Sequence, residues 1–328
     1  MEQQGGKGVS IIEKALNKSR QTRSDEDVQD GAGAEREQQK QESSRPSRIE
    51  RAMEAVHERD TSEQVAESAP VDEAAPEGET TRRYEKISRT RIAEMGLISP
   101  DGSQRSQLAE EFRLIKRPLL SNAFGGDAQS VPAGNLVMLT SALPGEGKSF
   151  CSINLALSIA MELDRTVLLV DADVARPMIP QYLGIDGTGP GLLDLLADDE
   201  VDFPEALIRT DIEQLTILPA GRTYPKATEM LASHAMERLI TEMSTRYPDR
   251  VILFDSPPLL ATSEASALAR HMGQIVMVVE SEKTPRESIV RASEQLDGCD
   301  VVIPLLNKSR PLPGMKYAHG YYGAYERT

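Results

Sequence analysis

The sequence predicts an α/β fold in which a parallel β-sheet is covered by helices on both faces. Three observations lead to this prediction: apolar segments of strand length recur from residue 135 onward, helix-like segments separate them, and polar or charged residues follow several of them. Strands that are apolar along their whole length are typical of a sheet that is buried on both faces. In such sheets ligands bind at the carboxyl ends of the strands.

The predicted strands and helices alternate along the chain. The strand segments are LVMLT at 136–140, TVLLVDAD at 166–173, LTILPAG at 215–221, VILFDSP at 251–257, QIVMVVE at 274–280 and VVIPLLN at 301–307. The main helical segments between them are 149–163, 228–246 and 286–296. Because parallel strands need crossover connections, their carboxyl ends are expected at one edge of the sheet.

A further amphipathic helix is predicted ahead of the first strand, in QLAEEFRLIKRPLL at 107–120. Its apolar residues recur at spacings of four, three and four, at Leu108, Phe112, Ile115 and Leu119. This periodicity predicts one buried stripe. Glu110, Arg113 and Lys116 are expected along the polar side, where most charged residues are simply solvated.

The chain is predicted to have four regions. Residues 104–310 form the α/β domain, and residues 311–328 form a tyrosine-rich tail. Residues 21–103 are interpreted as a disordered linker, because residues 21–80 are rich in Gln, Glu, Ser, Ala and Pro and nearly lack aromatic side chains. Residues 1–20 include SIIEKALNKSR, which predicts a short amphipathic docking helix or, equally, a transient helix that contacts nothing.

The composition argues against several classes of function. A net charge of -15 over 328 residues does not suit a nucleic-acid surface, which needs clustered Lys and Arg. Cys151 and Cys299 are the only cysteines and lack the spacing of a disulfide framework or a zinc site. The sequence has neither a signal peptide nor an apolar run of about 20 residues, so we expect a cytoplasmic protein that reaches a membrane only through a partner.

A phosphate-binding loop is predicted between the first strand and the helix that follows it. The segment ALPGEGKS at 142–149 matches GxxxxGK[ST] except that Ala142 replaces the first Gly. Gly145 and Gly147 allow backbone N–H groups to turn toward phosphate oxygens, and Lys148 is expected to bridge the β- and γ-phosphates. The expected nucleotide contacts are Ala142, Leu143, Pro144, Gly145, Glu146, Gly147, Lys148, Ser149 and Phe150.

Aspartates at strand ends predict a magnesium side for this site. Asp171 and Asp173 follow an apolar strand and point to the same side of an extended segment, and Asp255 ends another apolar strand. One aspartate at a strand end is often only a helix cap or a turn residue, but three together with the loop indicate a metal-bound triphosphate. We expect Ser149 and Asp171 at the metal, directly or through water, with Asp255 completing that side.

The set TSALPGEGKS, LLVDADVARP and VILFDSPP, followed by a tyrosine-rich tail, resembles the bacterial tyrosine kinases of capsule and exopolysaccharide synthesis, most closely the cytoplasmic autokinases of exosortase-linked polysaccharide clusters. The resemblance covers residues 105–328, and SIIEKAL also resembles the start of such proteins. It implies a P-loop NTPase-type fold, ATP and Mg²⁺ as cofactors, and a tyrosine autokinase that regulates exopolysaccharide polymerisation and export. It also implies ring-like self-association and a membrane-spanning polysaccharide co-polymerase as partner at the inner membrane.

Two positions depart from the motifs of this family. Its oligomerisation motif ExxRxxR is present as Glu110, Arg113 and Lys116, and Lys does not reproduce the planar fork of Arg. The Arg expected two residues after the second aspartate of LLVDADVARP is Ala175, with Arg176 next to it.

The expected phosphate acceptors are four of the eight tyrosines, all within the last twelve residues: Tyr317, Tyr321, Tyr322 and Tyr325. Their neighbours form no apolar strand or helix, so the rings are expected to be exposed; the alternative is a stacking or docking tail. Either Asp171 or Asp173 is expected to accept the phenol proton. Asn307, at the end of the last strand, is expected either to read the adenine edge or to serve as a turn residue.

Two other functions share these motifs. A partition- or septum-type ATPase switches a dimer without phosphorylating protein, but such proteins carry a second Lys five residues before the catalytic one, where this chain has Leu143. A non-catalytic adaptor, in which nucleotide merely orders a scaffold, is disfavoured by the intact loop and the intact aspartate motifs.

Overall fold

The computed structural model describes residues 83–101, 106–126, 130–247 and 249–310. Its centre is one eight-stranded sheet. The strands are β1 (Arg83–Glu85), β2 (Leu136–Ser141), β3 (Thr166–Asp171), β4 (Ile208–Thr210), β5 (Leu215–Leu218), β6 (Arg250–Asp255), β7 (Gln274–Glu280) and β8 (Val302–Asn307). The predicted N-terminal helix, most of the predicted linker and the tyrosine-rich tail lie outside the described residues, so those interpretations stay predictions.

The strand order in the sheet is β1, β4, β5, β3, β6, β2, β7, β8. Neighbouring strands are parallel except for β4 and β5, which are antiparallel. The four central strands β3, β6, β2 and β7 are almost entirely buried, as their continuous apolar sequences predict. Their carboxyl ends lie at one edge, which places the loops that follow them side by side.

Helices cover both faces of this sheet. They are α1 (Arg89–Glu94), α2 (Gln107–Phe124), α3 (Lys148–Ala160), α4 (Ile179–Leu183), α5 (Leu192–Ala197), α6 (Phe203–Ala206), α7 (Ala227–Leu231), α8 (His234–Arg246), α9 (Glu264–Ala269) and α10 (Arg286–Glu294). One core cluster joins the sheet to α2 and α3 through residues such as Phe112 and Leu157, and the other joins it to α8 and α9 through residues such as Ile240 and Leu268. The predicted fold class is therefore confirmed.

The predicted helix at 228–246 is two helices, α7 and α8. The break falls at Ser233, whose Oγ accepts a hydrogen bond from Met236 N at 3.3 Å and so caps α8. A serine with an extended backbone is a favoured N-cap, so the chain turns there and starts a new helix. The other predicted helices and strands agree with the structure to within a few residues at their ends.

The predicted start of the domain at residue 104 is too late, because residues 83–101 already belong to the fold. Strand β1 pairs with β4 at the edge of the sheet, and Ile87, Ile92 and Ile98 are buried in the α3-side core. The backbone N–H of Ile98 donates to Asn154 Oδ1 of α3 at 2.8 Å. A three-residue strand and scattered isoleucines give no periodic pattern, so only the tertiary contacts reveal this segment.

In the part of the chain that the structure describes, none of the helices combines the length and the apolar character needed to cross a lipid bilayer.

Candidate functional site

The loop between β2 and α3 has the backbone geometry of a phosphate-binding loop. Gly145 and Gly147 have φ values of 85° and 97°, in the left-handed region that favours glycine. A Cβ on Gly147 would lie 2.2 Å from Asn307 Nδ2, so no side chain fits there. Ala142 is outside the left-handed region and is fully buried in the core. This explains why Ala replaces the first Gly of the motif.

Glu146 holds the loop in this shape from inside. Its side chain is only 3% exposed, and Oε2 accepts a hydrogen bond from Leu143 N at 2.7 Å. Its other oxygen, Oε1, accepts from Thr284 Oγ1, and that hydroxyl also accepts from Glu280 N at 3.0 Å. The loop is therefore fixed to the turn between β7 and α10, across a sequence separation of 138 residues.

Two residues at the end of β8 hold the loop from outside. Asn307 Nδ2 donates to the carbonyl oxygen of Glu146 at 2.9 Å, and Asn307 Oδ1 accepts from Lys308 N at 2.9 Å. Lys308 Nζ donates to Gly145 O at 2.8 Å and to Glu280 Oε2 at 3.0 Å. These contacts give Asn307 a role that was not expected from the sequence, the positioning of the loop; the two expected roles, at the adenine edge or in a turn, stay predictions. Lys308 and Thr284 were not predicted from the sequence.

Lys148 is buried but weakly paired. Its side chain is 8% exposed, and Nζ lies 3.8 Å from Asp173 Oδ2. That distance is longer than a hydrogen bond, and Nζ makes no hydrogen bond with any other described residue. A buried ammonium group with unused donors is placed to receive an anion.

Asp171 and Asp255 meet at the carboxyl ends of β3 and β6, where the sheet register places them directly opposite each other. Both are completely buried. Asp171 Oδ2 accepts from Ile179 N at 3.1 Å, and Asp255 Oδ1 accepts from Ser152 Oγ at 3.0 Å. The second oxygen of each carboxylate, Asp171 Oδ1 and Asp255 Oδ2, has no hydrogen-bond partner among the described residues.

Burial dominates the electrostatics of this pair. Loss of solvation raises the pKa of Asp255 and raises that of Asp171 well above its ordinary value, and the charge of Asp255 raises the pKa of Asp171 further. The hydroxyl of Ser149 and the ammonium of Lys148 oppose the rise at Asp255. Burial also raises the pKa of Asp173, although the Lys148 charge works against it. These carboxylates are poorly satisfied by the protein alone.

Ser152 belongs to the site but was not predicted from the sequence. Its Oγ lies 3.0 Å from Asp255 Oδ1 and 3.0 Å from the carbonyl oxygen of Lys148. The signal that identifies it is helical periodicity, because Ser152 follows Lys148 by four residues and therefore shares its face of α3.

The predicted oligomerisation residues on α2 do not lie on one face. Glu110 and Arg113 form a 2.9 Å ion pair and are 46% and 53% exposed. Lys116, expected beside them, is buried: its Nζ donates to Ser158 O at 2.6 Å and pairs with Glu162 Oε1 at 2.5 Å. Six residues along a helix leave Lys116 about 120° from Glu110 around the axis. Lys116 therefore packs against α3, and the expectation of an exposed Lys116 is wrong.

The sheet, the phosphate-binding loop and the strand-end carboxylates define a P-loop nucleotide-binding protein of the α/β class. The model of the AAA domain family matches residues 136–295. The chain is 33% identical over 221 residues to the tyrosine-protein kinase YwqD of Bacillus subtilis, covering 67% of this chain and 88% of that protein. It belongs to the family of bacterial tyrosine-protein kinases.

Two further comparisons agree with this family. The tyrosine-protein kinase Wzc of Salmonella typhimurium is 31% identical over 196 residues, which are 58% of this chain but only 26% of that protein. The chain thus spans about a quarter of the length of several curated relatives that it matches. The crystal structure of the chimerical protein CapA2B2 superposes with a TM-score of 0.52 at 25% identity, covering 66% of this chain and 97% of that one.

Proposed function

We propose that this protein is an ATP-dependent protein-tyrosine autokinase that phosphorylates its own C-terminal tyrosines. The observation that carries the proposal is a pair of buried carboxylate oxygens, Asp171 Oδ1 and Asp255 Oδ2, that have no hydrogen-bond partner among the described residues. They lie at the edge where Lys148 presents donors that none of those residues uses. Membership of the tyrosine-kinase family supports the nature of the reaction.

The residues at this edge suit Mg²⁺. The two carboxylate oxygens that lack a partner among the described residues are hard ligands, the type that Mg²⁺ prefers. The Ser149 hydroxyl lies beside Asp255 at the start of α3. Among the described residues, no cluster of three or more His, Cys, Asp or Glu side chains forms an all-protein metal cage. Mg²⁺ is characteristically held by one or two carboxylates together with phosphate oxygens and water. When bound with ATP, it would neutralise charge on the β- and γ-phosphates.

The chain's own residues then divide the remaining tasks. Backbone N–H groups of the loop and Lys148 hold the phosphates, with Lys148 at the γ-phosphoryl group. The phenol oxygen of a tyrosine forms a bond to the γ-phosphorus as the bond to the bridging β–γ oxygen breaks, giving ADP and phosphotyrosine. Asp173 takes the phenol proton, because its side chain keeps 11% exposure whereas Asp171 is completely buried.

The proposed acceptors are Tyr317, Tyr321, Tyr322 and Tyr325. Self-association would bring the tail of one copy to the site of another. The exposed side of α2 supports this contact, because Glu110 and Arg113 are paired there and Leu114 is 65% exposed. An exposed ion pair beside an exposed leucine suits a polar interface of modest affinity.

We further propose that this kinase regulates exopolysaccharide polymerisation and export, at the inner membrane, with a membrane-spanning polysaccharide co-polymerase as its partner. Its family supports this role. The corresponding test is the distribution of the protein in cell fractions with and without the adjacent export membrane protein. If the kinase stays at the membrane in cells that lack the export membrane protein, the proposed partnership is contradicted.

The kinase proposal is tested by incubating the dephosphorylated full chain with ATP and Mg²⁺ and mapping the products by mass spectrometry. We expect phosphotyrosine within the last twelve residues, and none in a variant with all four tail tyrosines changed to Phe. Hydrolysis of ATP with unmodified tyrosines would instead indicate a partition- or septum-type ATPase switch. Binding of ATP without turnover would indicate an adaptor.

A further inference from the structure

A second cleft lies beside the proposed phosphoryl-transfer site. It is a cavity of about 320 Å³ between the loop that follows β3 and the loop that follows β5. These strands are parallel neighbours, so both loops leave the same edge of the sheet. Val174 and Pro177 line one wall, directly after Asp173, and Leu193 and Pro225 add further apolar surface. The lining also includes polar residues of the β5 loop, among them Arg222 and Thr223. The cleft therefore combines an apolar part, of a size that accepts an aromatic ring, with a polar part.

A buried carboxylate fixes the wall formed by the β5 loop. Asp194 is completely buried and accepts hydrogen bonds from Gly191 N at 2.9 Å, Arg222 N at 3.0 Å and Tyr224 OH at 2.8 Å. The Nε atom of Arg222 also donates to Asp194. These four hydrogen bonds to one carboxylate tie the β5 loop to α5.

The Arg222 guanidinium is therefore oriented but still available. Its side chain is 62% exposed, and neither Nη atom has a hydrogen-bond partner among the described residues. Arg176 and Lys226 are also exposed on the two loops that border the cleft. The acidic groups nearby are the buried Asp194 and Asp173, of which Asp173 faces Arg176, and, on the surface, Asp198 and Glu229. The rim is therefore balanced in charge, and the feature that suits an anionic ligand is the pair of oriented Nη groups of Arg222.

We propose that this cleft binds a phosphotyrosine of the C-terminal tail, with the ring against the apolar part of the lining and the phosphate on the Nη atoms of Arg222. The inference rests on the proposed autokinase function. Guanidinium and phosphate form paired, charge-assisted hydrogen bonds, and the aromatic ring of a phosphotyrosine also packs against apolar side chains.

The length of the tail permits this contact. Tyr317 is seven residues beyond Arg310, the last described residue, and seven extended residues cover at most about 25 Å. Strand β5, which precedes the Arg222 loop, is five positions from β8 in the sheet, which is about 24 Å. The tail of the same or of a neighbouring copy therefore reaches the cleft.

The consequence is sequential phosphorylation. Once one tyrosine is phosphorylated and held by Arg222, a tyrosine next to it or up to four residues away, about 13 Å along an extended chain, lies within reach of Asp173. Tyr321, Tyr322 and Tyr325 have this spacing. The first phosphate thus raises the local concentration of the remaining acceptors at the site.

The test follows the number of phosphates per chain by intact mass, starting from dephosphorylated full-length protein with ATP and Mg²⁺. In the wild type, chains with three or four phosphates should coexist with unmodified chains. In Arg222→Gln we expect the first phosphate to appear at a rate within about twofold of wild type. Later phosphates should be slowed about tenfold, the effect expected from losing a charge-assisted contact, so that singly phosphorylated chains accumulate.

A control variant separates phosphate binding from general effects. Arg291→Gln removes an exposed charge near the C-terminal end of α10, the helix between β7 and β8, which are on the far side of the sheet from β5. It should retain the wild-type phosphate distribution. The binding of a peptide of residues 316–327 carrying phosphotyrosine at 321 should weaken about tenfold in Arg222→Gln only.

Different failures overturn different claims. A normal first phosphate with unchanged later steps in Arg222→Gln overturns the cleft assignment alone, as does equal accumulation of singly phosphorylated chains in Arg291→Gln. The absence of any tail phosphate in the wild type overturns the proposed kinase function and this inference with it.

Discussion

Two lysines in this molecule are almost equally buried and have opposite roles. Lys148 lies at the start of α3, and its nearest carboxylate oxygen is 3.8 Å away. Lys116 lies in α2, with Ser158 O at 2.6 Å and Glu162 Oε1 at 2.5 Å. A buried ammonium group whose donors are satisfied by the protein stabilises packing, whereas one whose donors are unused is ready for a ligand. The hydrogen bonds, rather than the degree of burial, distinguish the two.

The largest expected effect is that of Lys148→Met. It removes the positive charge proposed at the γ-phosphate and should lower autophosphorylation by about 10² to 10³. The fold should be kept, because the Lys148 side chain makes no hydrogen bond to another helix or strand within the described residues. The rate of ³²P transfer and the far-ultraviolet circular dichroism spectrum check both points. Labelling at the wild-type rate would mean that the site is misassigned.

The next effect concerns the unsatisfied carboxylates at the Lys148 edge. Burial raises the pKa of Asp255 to about 6, so the folded state favours its protonated form. The stability associated with that proton is complete at low pH and is lost as the pH rises through about 6. Asp255→Asn avoids this loss and should raise the melting temperature of the nucleotide-free protein by about 5 °C at pH 8. The gain should be smaller at pH 5.

The same variant should abolish phosphorylation, because it removes a proposed magnesium ligand. Thermal melts at the two pH values, with Ser263→Ala as a surface control, measure the stability change. A lower melting temperature of Asp255→Asn than of wild type at pH 8 would show that the Asp255 carboxylate already has sufficient hydrogen-bond partners in the folded protein. It would weaken the assignment of Asp255 as a magnesium ligand.

The contrast between these lysines also shows how far sequence reasoning reaches. The phosphate-binding loop, its lysine and the three aspartates were predictable because they form short contiguous motifs at the ends of apolar strands. Lys116 was wrongly expected on the exposed side of α2, because the apolar pattern around it does not determine which face of the helix it occupies. Only the packing of α2 on α3 shows that its side chain is buried. Contacts such as Glu146 with Thr284 join residues 138 positions apart and have no local signal.

The sheet shows the same division between local and tertiary information. The central strands were predictable from their apolar runs, and their parallel arrangement follows from the helices between them. Strand β1 was not predictable, because its three residues, Arg83–Glu85, are mostly polar and gain their structure from pairing with β4. Short strands at the side of the sheet form only through pairing with a neighbour, whereas the apolar sequences of the central strands predict them directly.

A moderate effect is expected for Lys116→Met, the counterpart of Lys148→Met. Methionine fills a similar volume but cannot donate to Ser158 O, so the loss should be about 1 to 2 kcal/mol. In a domain of this size the melting temperature should fall by about 2 to 6 °C. Autophosphorylation should stay within about twofold of wild type. A loss of activity at temperatures where the variant is folded would show that Lys116 acts in assembly or catalysis after all.

The smallest effect is expected for Glu162→Gln, which removes the other partner of Lys116. The Glu162 side chain is 43% exposed, so water screens its charge, and such a pair contributes less than about 1 kcal/mol. The buried contact with Ser158 O should therefore account for most of the loss seen in Lys116→Met. A double-mutant cycle with both variants, measured by chemical denaturation, gives the interaction free energy between Lys116 and Glu162. If Glu162→Gln destabilises the protein as much as Lys116→Met does, the ion pair holds Lys116 in place. Raising the salt concentration should then weaken the wild type more than either variant.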